Sequence, residues 1–320
     1  MKPLPLFTCL LALASLANAA DKKETPTWTD PAVAAAENPD FLIQGEYGSA
    51  EPGGDWGVQV FALGDGKFDA YVLEGGLPGV GYTREKQRIK LTGTADALAT
   101  EGWKAAIADG QITVTKDGAE PISLPRIERV SDTMGKAAPE GAIVLFDGTA
   151  ADKWHNETVI DGLLKNTDPR TKQDFGSYQI HLEFRTPFKP FARGQGRGNS
   201  GVYHQGRYET QVLDSFALEG ADNETGGVYK TGKPIVNACL PPLAWQTYDV
   251  DFTAAKFNDA DKKTANARLT VHLNGVLVQD DLEVPGPTGG GKPEVSATGP
   301  IYLQSHGNPV FYRNIWIVEK

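Results

Sequence analysis

Apolar and polar residues alternate along several stretches of this chain with a period of two, which belongs to extended strands buried on one face. Tyr178, Ile180, Leu182 and Phe184 alternate with Gln179, His181, Glu183 and Arg185, and Tyr248, Val250 and Phe252 alternate with Thr247, Asp249 and Asp251. Ala267, Leu269, Val271 and Leu273 alternate with Arg268, Thr270 and His272, and Asn274-Gly275 then supplies a two-residue hairpin turn into Val276. Phe311, Ile315 and Ile317 close the chain. Strands in this number, with no amphipathic helices between them, predict an all-β sandwich or jelly roll.

A second, shorter β region precedes it. Val58, Val60, Phe68, Tyr71 and Val72 fall in short runs cut by Gly64-Asp65-Gly66 and by Gly75-Gly76-Leu77-Pro78-Gly79. Asp109-Gly110 and Asp117-Gly118 mark further turns before Ile122. The organisation read from these signals is a leader over 1–19, a loose N-terminal arm over 20–39 and a small β-rich domain over 40–132. A linker over 133–140 and a jelly-roll domain over 141–320 complete it. No internal repeat is present.

The leader reading rests on Lys2, the apolar run Leu6 to Leu16 and the small-residue site Ala17-Asn18-Ala19. It predicts export to the periplasm or the extracellular space. The run is too short to span a bilayer, and no later stretch reaches the roughly 20 apolar residues a membrane span needs. Removal of Cys9 with the leader leaves Cys239 alone, so stability must come from packed cores rather than a disulfide. A formal net charge of −10 excludes nucleic acid and anionic membrane as expected partners. A neutral carbohydrate is compatible with it.

The motifs of the second half carry a resemblance. Asn199-Ser200-Gly201-Val202-Tyr203 followed by Arg207-Tyr208-Glu209-Thr210-Gln211-Val212-Leu213-Asp214-Ser215 resembles the signature of the 3-keto-disaccharide hydrolase domain family. Gly226-Gly227-Val228-Tyr229, Trp245-Gln246-Thr247-Tyr248-Asp249, Gly299-Pro300-Ile301-Tyr302-Leu303-Gln304 and Arg313-Asn314-Ile315 follow in order, and Leu145-Phe146-Asp147-Gly148 opens the set. The resemblance covers roughly 141–319. It implies a concanavalin A-like jelly roll and an activity on glycosides whose C3 hydroxyl is oxidised to a ketone, by hydrolysis or by 1,2-elimination and hydration.

A C3 ketone makes the C2 hydrogen acidic, so such a site needs a base near C2, a donor for the developing oxyanion and an acid for the leaving oxygen. Glu209 is the first candidate for acid/base work. In an extended strand it shares a face with Gln211, so a carboxylate and an amide point together into a cleft. His306 has the intrinsic pKa for proton transfer, and Lys230 has the charge to steady an enolate. These three form the expected catalytic group. Gln211, Tyr203, Gln205, Tyr229, Gln304 and Asp214 form the expected substrate-binding group. Five of them have a plain alternative: an ion pair for Glu209, a turn cap for Asp214, a solvated turn for His306, a solvated surface for Lys230, and core packing for Tyr229. One of His204 and Gln205 should face the cleft.

The five histidines lack the spacing of a helical zinc site, so no metal ligand set and no cofactor is predicted. Asp259-Ala260-Asp261 and Asp280-Asp281 leave room for a structural calcium. Gly194-x-Gly196-x-Gly198 precedes a strand, not a helix, and is rejected as a phosphate loop. Two functional alternatives remain beside the enzyme: a non-catalytic, lectin-like sugar-binding protein, and an envelope interaction protein docking through 40–132.

Overall fold

The computed structural model describes residues 25–149 and 151–320; the leader lies outside the described residues. Eight antiparallel strands form a closed barrel: β1 (Gly45–Tyr47), β2 (Trp56–Gly64), β3 (Lys67–Glu74), β4 (Arg88–Thr94), β5 (Ala97–Thr100), β6 (Trp103–Ala108), β7 (Gln111–Lys116) and β8 (Ile122–Ile127). Closure comes from β1 pairing with β8, where Glu46 faces Ile127 and Tyr47 faces Arg126. Asp65-Gly66 and Asp109-Gly110 take positive φ at both positions, the geometry that lets a two-residue turn follow the twist of the strands it joins. Tyr47, Val58, Val60, Phe68, Val72, Leu91, Ile112 and Val114 fill the interior.

The arm is not loose from Thr25 onward. Pro31–Glu37 is a helix, α1, whose Asp30 side chain accepts from the amides of Ala32 and Val33, with Pro31 where a missing N–H does no harm. A short second helix, α2 (Asp40–Ile43), follows. Ala34 and Phe41 pack against the barrel core, and Trp28 exchanges backbone hydrogen bonds with Phe188 of the second half.

The second half is a two-sheet sandwich. Its strands are β9 (Ile143–Phe146), β10 (Trp154–His155), β11 (Val159–Ile160), β12 (Leu163–Lys165), β13 (Arg170–Thr171), β14 (Tyr178–Arg185), β15 (Ser200–His204) and β16 (Tyr208–Val212). They continue with β17 (Gln246–Thr253), β18 (Lys256–Phe257), β19 (Lys263–Ala265), β20 (Ala267–Leu273), β21 (Val276–Val284), β22 (Tyr302–Leu303) and β23 (Phe311–Glu319). The small sheet runs β10-β13-β22-β15-β16, and the large one β11-β12-β23-β14-β17-β20-β21 with β9 added on β23. Tyr178, Leu182, Phe184, Tyr248, Phe252, Leu269 and Val271 belong to the same buried core as Val202, Tyr208, Val212 and Leu303 of the small sheet. The all-β sandwich with a smaller N-terminal β domain is therefore as read from the sequence.

The linker also folds back on the molecule. Gly135 N donates to Glu183 Oε1 at 2.7 Å, Trp316 Nε1 donates to Lys136 O at 3.1 Å, and Lys136 Nζ reaches Asp249 Oδ1 at 3.0 Å. Beneath it His181 stacks on Trp316 at 5.2 Å and meets Asp249 at 3.0 Å, while Arg313 Nε and Asn314 Nδ2 donate to Glu183. Burial pushes the Glu183 and Asp249 carboxyls up, but hydrogen bonds led by His181 outweigh it and hold both at about 2. Arg313 thus pairs with the buried Glu183 carboxylate.

Candidate functional site

The small sheet presents two unlike faces because its strands alternate. Towards the core point Val202, His204, Tyr208, Thr210 and Val212; His204 is fully buried between Tyr178 Oη at 2.9 Å and Thr210 Oγ1 at 3.0 Å. Burial lowers the His204 pKa to about 3, so its ring is neutral. On the opposite parity, the register of β15 with β16 sets Tyr203 across from Glu209 and Gly201 across from Gln211, and Tyr302 of β22 beside Tyr203. The Tyr203 and Tyr302 rings lie 5.1 Å apart, and Gln304 Nε2 donates to Tyr203 Oη at 3.2 Å.

Glu209 lies at the centre of this group. It is 3% exposed, and among the described residues no Arg, Lys or His forms a salt bridge with it. Its carboxylate leans across Gly201, where a Cβ would come within 2.2 Å of Oε1, so only glycine fits beneath it. Burial raises the Glu209 pKa to about 7, against a smaller pull downward from the Tyr203 hydroxyl. Burial and the neighbouring Glu209 charge push the Tyr203 phenol well above its ordinary value, so it stays protonated and remains a donor.

Two segments frame the group. Residues 226–229 run beside the outer strand β16, with Gln211 N donating to Gly227 O at 2.9 Å, so its edge is covered. Thr288 Oγ1 accepts from Glu209 N at 2.9 Å and Gly289 O accepts from Tyr203 Oη at 2.6 Å, so the loop Thr288-Gly289-Gly290-Gly291 bears on the same residues. Gly290, with φ +81°, brings backbone so near Tyr203 Oη that a Cβ would sit 3.0 Å away. A hollow of about 630 Å³ at the junction of barrel and sandwich, lined by Pro78, Arg129, Asp132 and Asn274, contains none of these groups.

The other residues singled out from the sequence are placed as follows. Gln211 lies on the Glu209 face, its Oε1 accepting from Val212 N and its Nε2 directed to Gln195 Oε1. Tyr229 is half-buried beside the glycine loop, and its N–H donates to Glu209 O. Lys230 is exposed in a turn at φ +57°, with Nζ over its neighbour's ring, and His306 is exposed in the loop after β22; neither is brought to Glu209. Gln205 occupies the β15–β16 turn and donates to Phe175 O and Ala297 O, so neither it nor His204 faces the cleft. Asp214 is buried in a pair with Arg197 at 2.5 Å and caps a turn through Phe216 N, the plain reading of that residue. Of the loops considered for calcium, Asp281 carries a carboxylate spent on Arg268, and among the described residues no three acidic, His or Cys side chains cluster to hold a metal.

Two residues of the site were missed. Asn199 lies just before β15 on the parity of Gly201 and Tyr203, a period-two signal that extends the reading by one step. Gln195 sits in the glycine-rich segment before it and carries no sequence signal.

No helix among the described residues is long and apolar enough to cross a membrane. No curated protein matches the chain. A solved structure from Parabacteroides distasonis, a "putative glycosyl hydrolase", is 37% identical with a TM-score of 0.52, over 57% of this chain and 85% of its own. Two further structures of that description from the same organism are 22% and 21% identical, with TM-scores of 0.42 and 0.41. They span 57% and 56% of this chain and 94% and 99% of theirs. A family model, the 3-keto-alpha-glucoside-1,2-lyase-like domain, matches residues 141–318, the sandwich that carries Glu209. Through that sandwich the chain belongs to the 3-keto-alpha-glucoside-1,2-lyase-like domain family.

Proposed function

We propose that the face centred on Glu209 cleaves glycosides oxidised at C3, with Glu209 as the base that removes the C2 proton. The observation that carries this reading is a nearly dry carboxylate with no Arg, Lys or His paired with it among the described residues and a pKa of about 7. A base poised there is ionised in half the molecules near neutrality and strong enough to take a proton acidified by a ketone. The C2–H electrons pass into an enolate on the C3 oxygen, then re-form the ketone and make the C1=C2 bond as the C1–O bond breaks, and the proton held on Glu209 passes to the departing oxygen. Water added across the new double bond completes a net hydrolysis. Tyr203, kept protonated, would turn its one O–H from Gly289 O to the developing enolate. The leader-like first 19 residues support action after export.

The family membership and the carbohydrate-related neighbour support the same substrate class. The test is incubation of purified protein with 3-keto-trehalose or an aryl 3-keto-glucoside, following release of the second product. Wild type should turn over, and Glu209→Gln should lose roughly 10²–10⁴-fold in rate while still binding. Binding without turnover by wild type would replace the enzyme with a lectin-like protein. Full activity in Glu209→Gln would remove Glu209 from the chemistry.

A further inference from the structure

We infer that Asn199, Gln195 and Gln211 form a subsite for the hydroxyls of a second sugar ring, beside the ring that reacts at Glu209. The inference rests on the glycoside-cleaving reading above and names the residues that hold the sugar beyond the cleaved bond.

Register gives the spacing. Tyr203 stands across from Glu209 and Gly201 across from Gln211, so Asn199 comes next along the same face, four residues from Tyr203. The Glu209 carboxylate, however, lies over Gly201, two residues from Asn199, which at about 3.3 Å per residue is roughly 7 Å, about one ring away from the reacting carbon. Asn199 Nδ2 donates to Gln195 Oε1 at 2.9 Å, and Gln211 Nε2 approaches the same oxygen at 3.4 Å. Gln195 Nε2 in turn donates to Asn223 O at 2.9 Å. The chain of donors leaves one group unused: Asn199 Oδ1 is buried, in a residue 4% exposed, and has no hydrogen-bond partner.

A buried acceptor without a donor costs about 1–3 kcal/mol and is rare in folded proteins. An uncharged, buried acceptor flanked by amides selects a neutral donor, and a sugar hydroxyl is one. An ammonium would find no carboxylate among the three, and an anion would meet the oxygen head-on. The segment carrying Gln195 is held by the barrel: Arg193 Nη2 donates to Leu63 O at 2.9 Å, Phe191 lies on Gly64, and the Arg197 guanidinium stacks 3.9 Å over Phe61. The barrel thereby positions one wall of the subsite.

The experiment compares two substrates in wild type, Asn199→Ala and Asn199→Asp. With 3-keto-trehalose, Asn199→Ala should raise KM about tenfold, the value of one hydrogen bond at such a site. With an aryl 3-keto-glucoside, which has one sugar ring, KM should not change. Asn199→Asp keeps an acceptor oxygen and should recover part of the loss on the disaccharide. Equal effects on both substrates, or none on either, would overturn the second-ring assignment. If wild type cleaves neither substrate, calorimetric titration with trehalose and glucose decides: loss of trehalose binding alone in Asn199→Ala upholds the subsite without the chemistry. Unchanged trehalose binding removes the subsite as well.

Discussion

Replacing Glu209 by Gln should make the protein more stable in alkali and leave it unchanged in acid, the opposite of removing a salt-bridged carboxylate. The folded-state pKa of about 7 compares with an ordinary value of 4.5. Between those values the folded protein holds a proton that the unfolded chain has released, so wild-type stability falls as pH rises through that window. The full difference, at 1.36 kcal/mol per pH unit, is about 3 kcal/mol by pH 8.5 and close to zero at pH 4. Glutamine is similar in shape, cannot ionise, and escapes that fall. Urea denaturation followed by the fluorescence of the six tryptophans at both pH values measures the wild-type-minus-variant difference, in which every other titrating group cancels. In thermal melts the same 3 kcal/mol is a shift of roughly 6–12 °C for a domain of this size. Wild-type and variant curves that run parallel from pH 4 to 8.5 would mean the folded protein already stabilises the charge, and the argument for a poised base would fall with it.

Two further outcomes follow from the placement of other residues. Glu183 and Asp249, both held at about 2, add stability that is present above pH 4.5 and lost as pH falls towards 2. Limited proteolysis at descending pH should therefore open the segment 131–136 first, and Glu183→Gln should open it even at neutral pH. Lys230→Ala and His306→Ala, both in exposed turns, should leave kcat/KM for a keto-glycoside at the wild-type value. A large loss in either would place the chemistry elsewhere than at Glu209.

The alternation that revealed the sandwich was legible because burial follows it. Tyr178, Ile180, Leu182 and Phe184 of β14 are all buried and Gln179 is exposed. The same strand shows where a local pattern stops: His181 and Glu183, on the expected wet face, are 0% and 1% exposed because the linker lies over them. A segment with little apolar content leaves no periodic trace of such docking. Closure of the barrel escaped for a related reason, since the pairing of Tyr47 with Arg126 joins residues far apart in sequence. Within the site, parity put Glu209 and Gln211 on one face, but it took the register of β15 with its neighbours to bring Tyr203 and Gln304 to them. Gln205 was misjudged because it sits at φ +54° in a turn ahead of Gly206, and its amide serves carbonyls of neighbouring loops.

Phe61, Tyr71 and Leu73 of the barrel belong to the same buried cluster as Phe216, Ala217 and Cys239 of the sandwich. A gene fragment cut at residue 141, where the family match begins, would strip the aromatic cover from Phe216 and leave Arg197 without the ring it rests on. Anyone expressing the sandwich half alone should expect a sticky, poorly behaved product. The segment matched by the family and the contiguous buried core have different borders in this molecule.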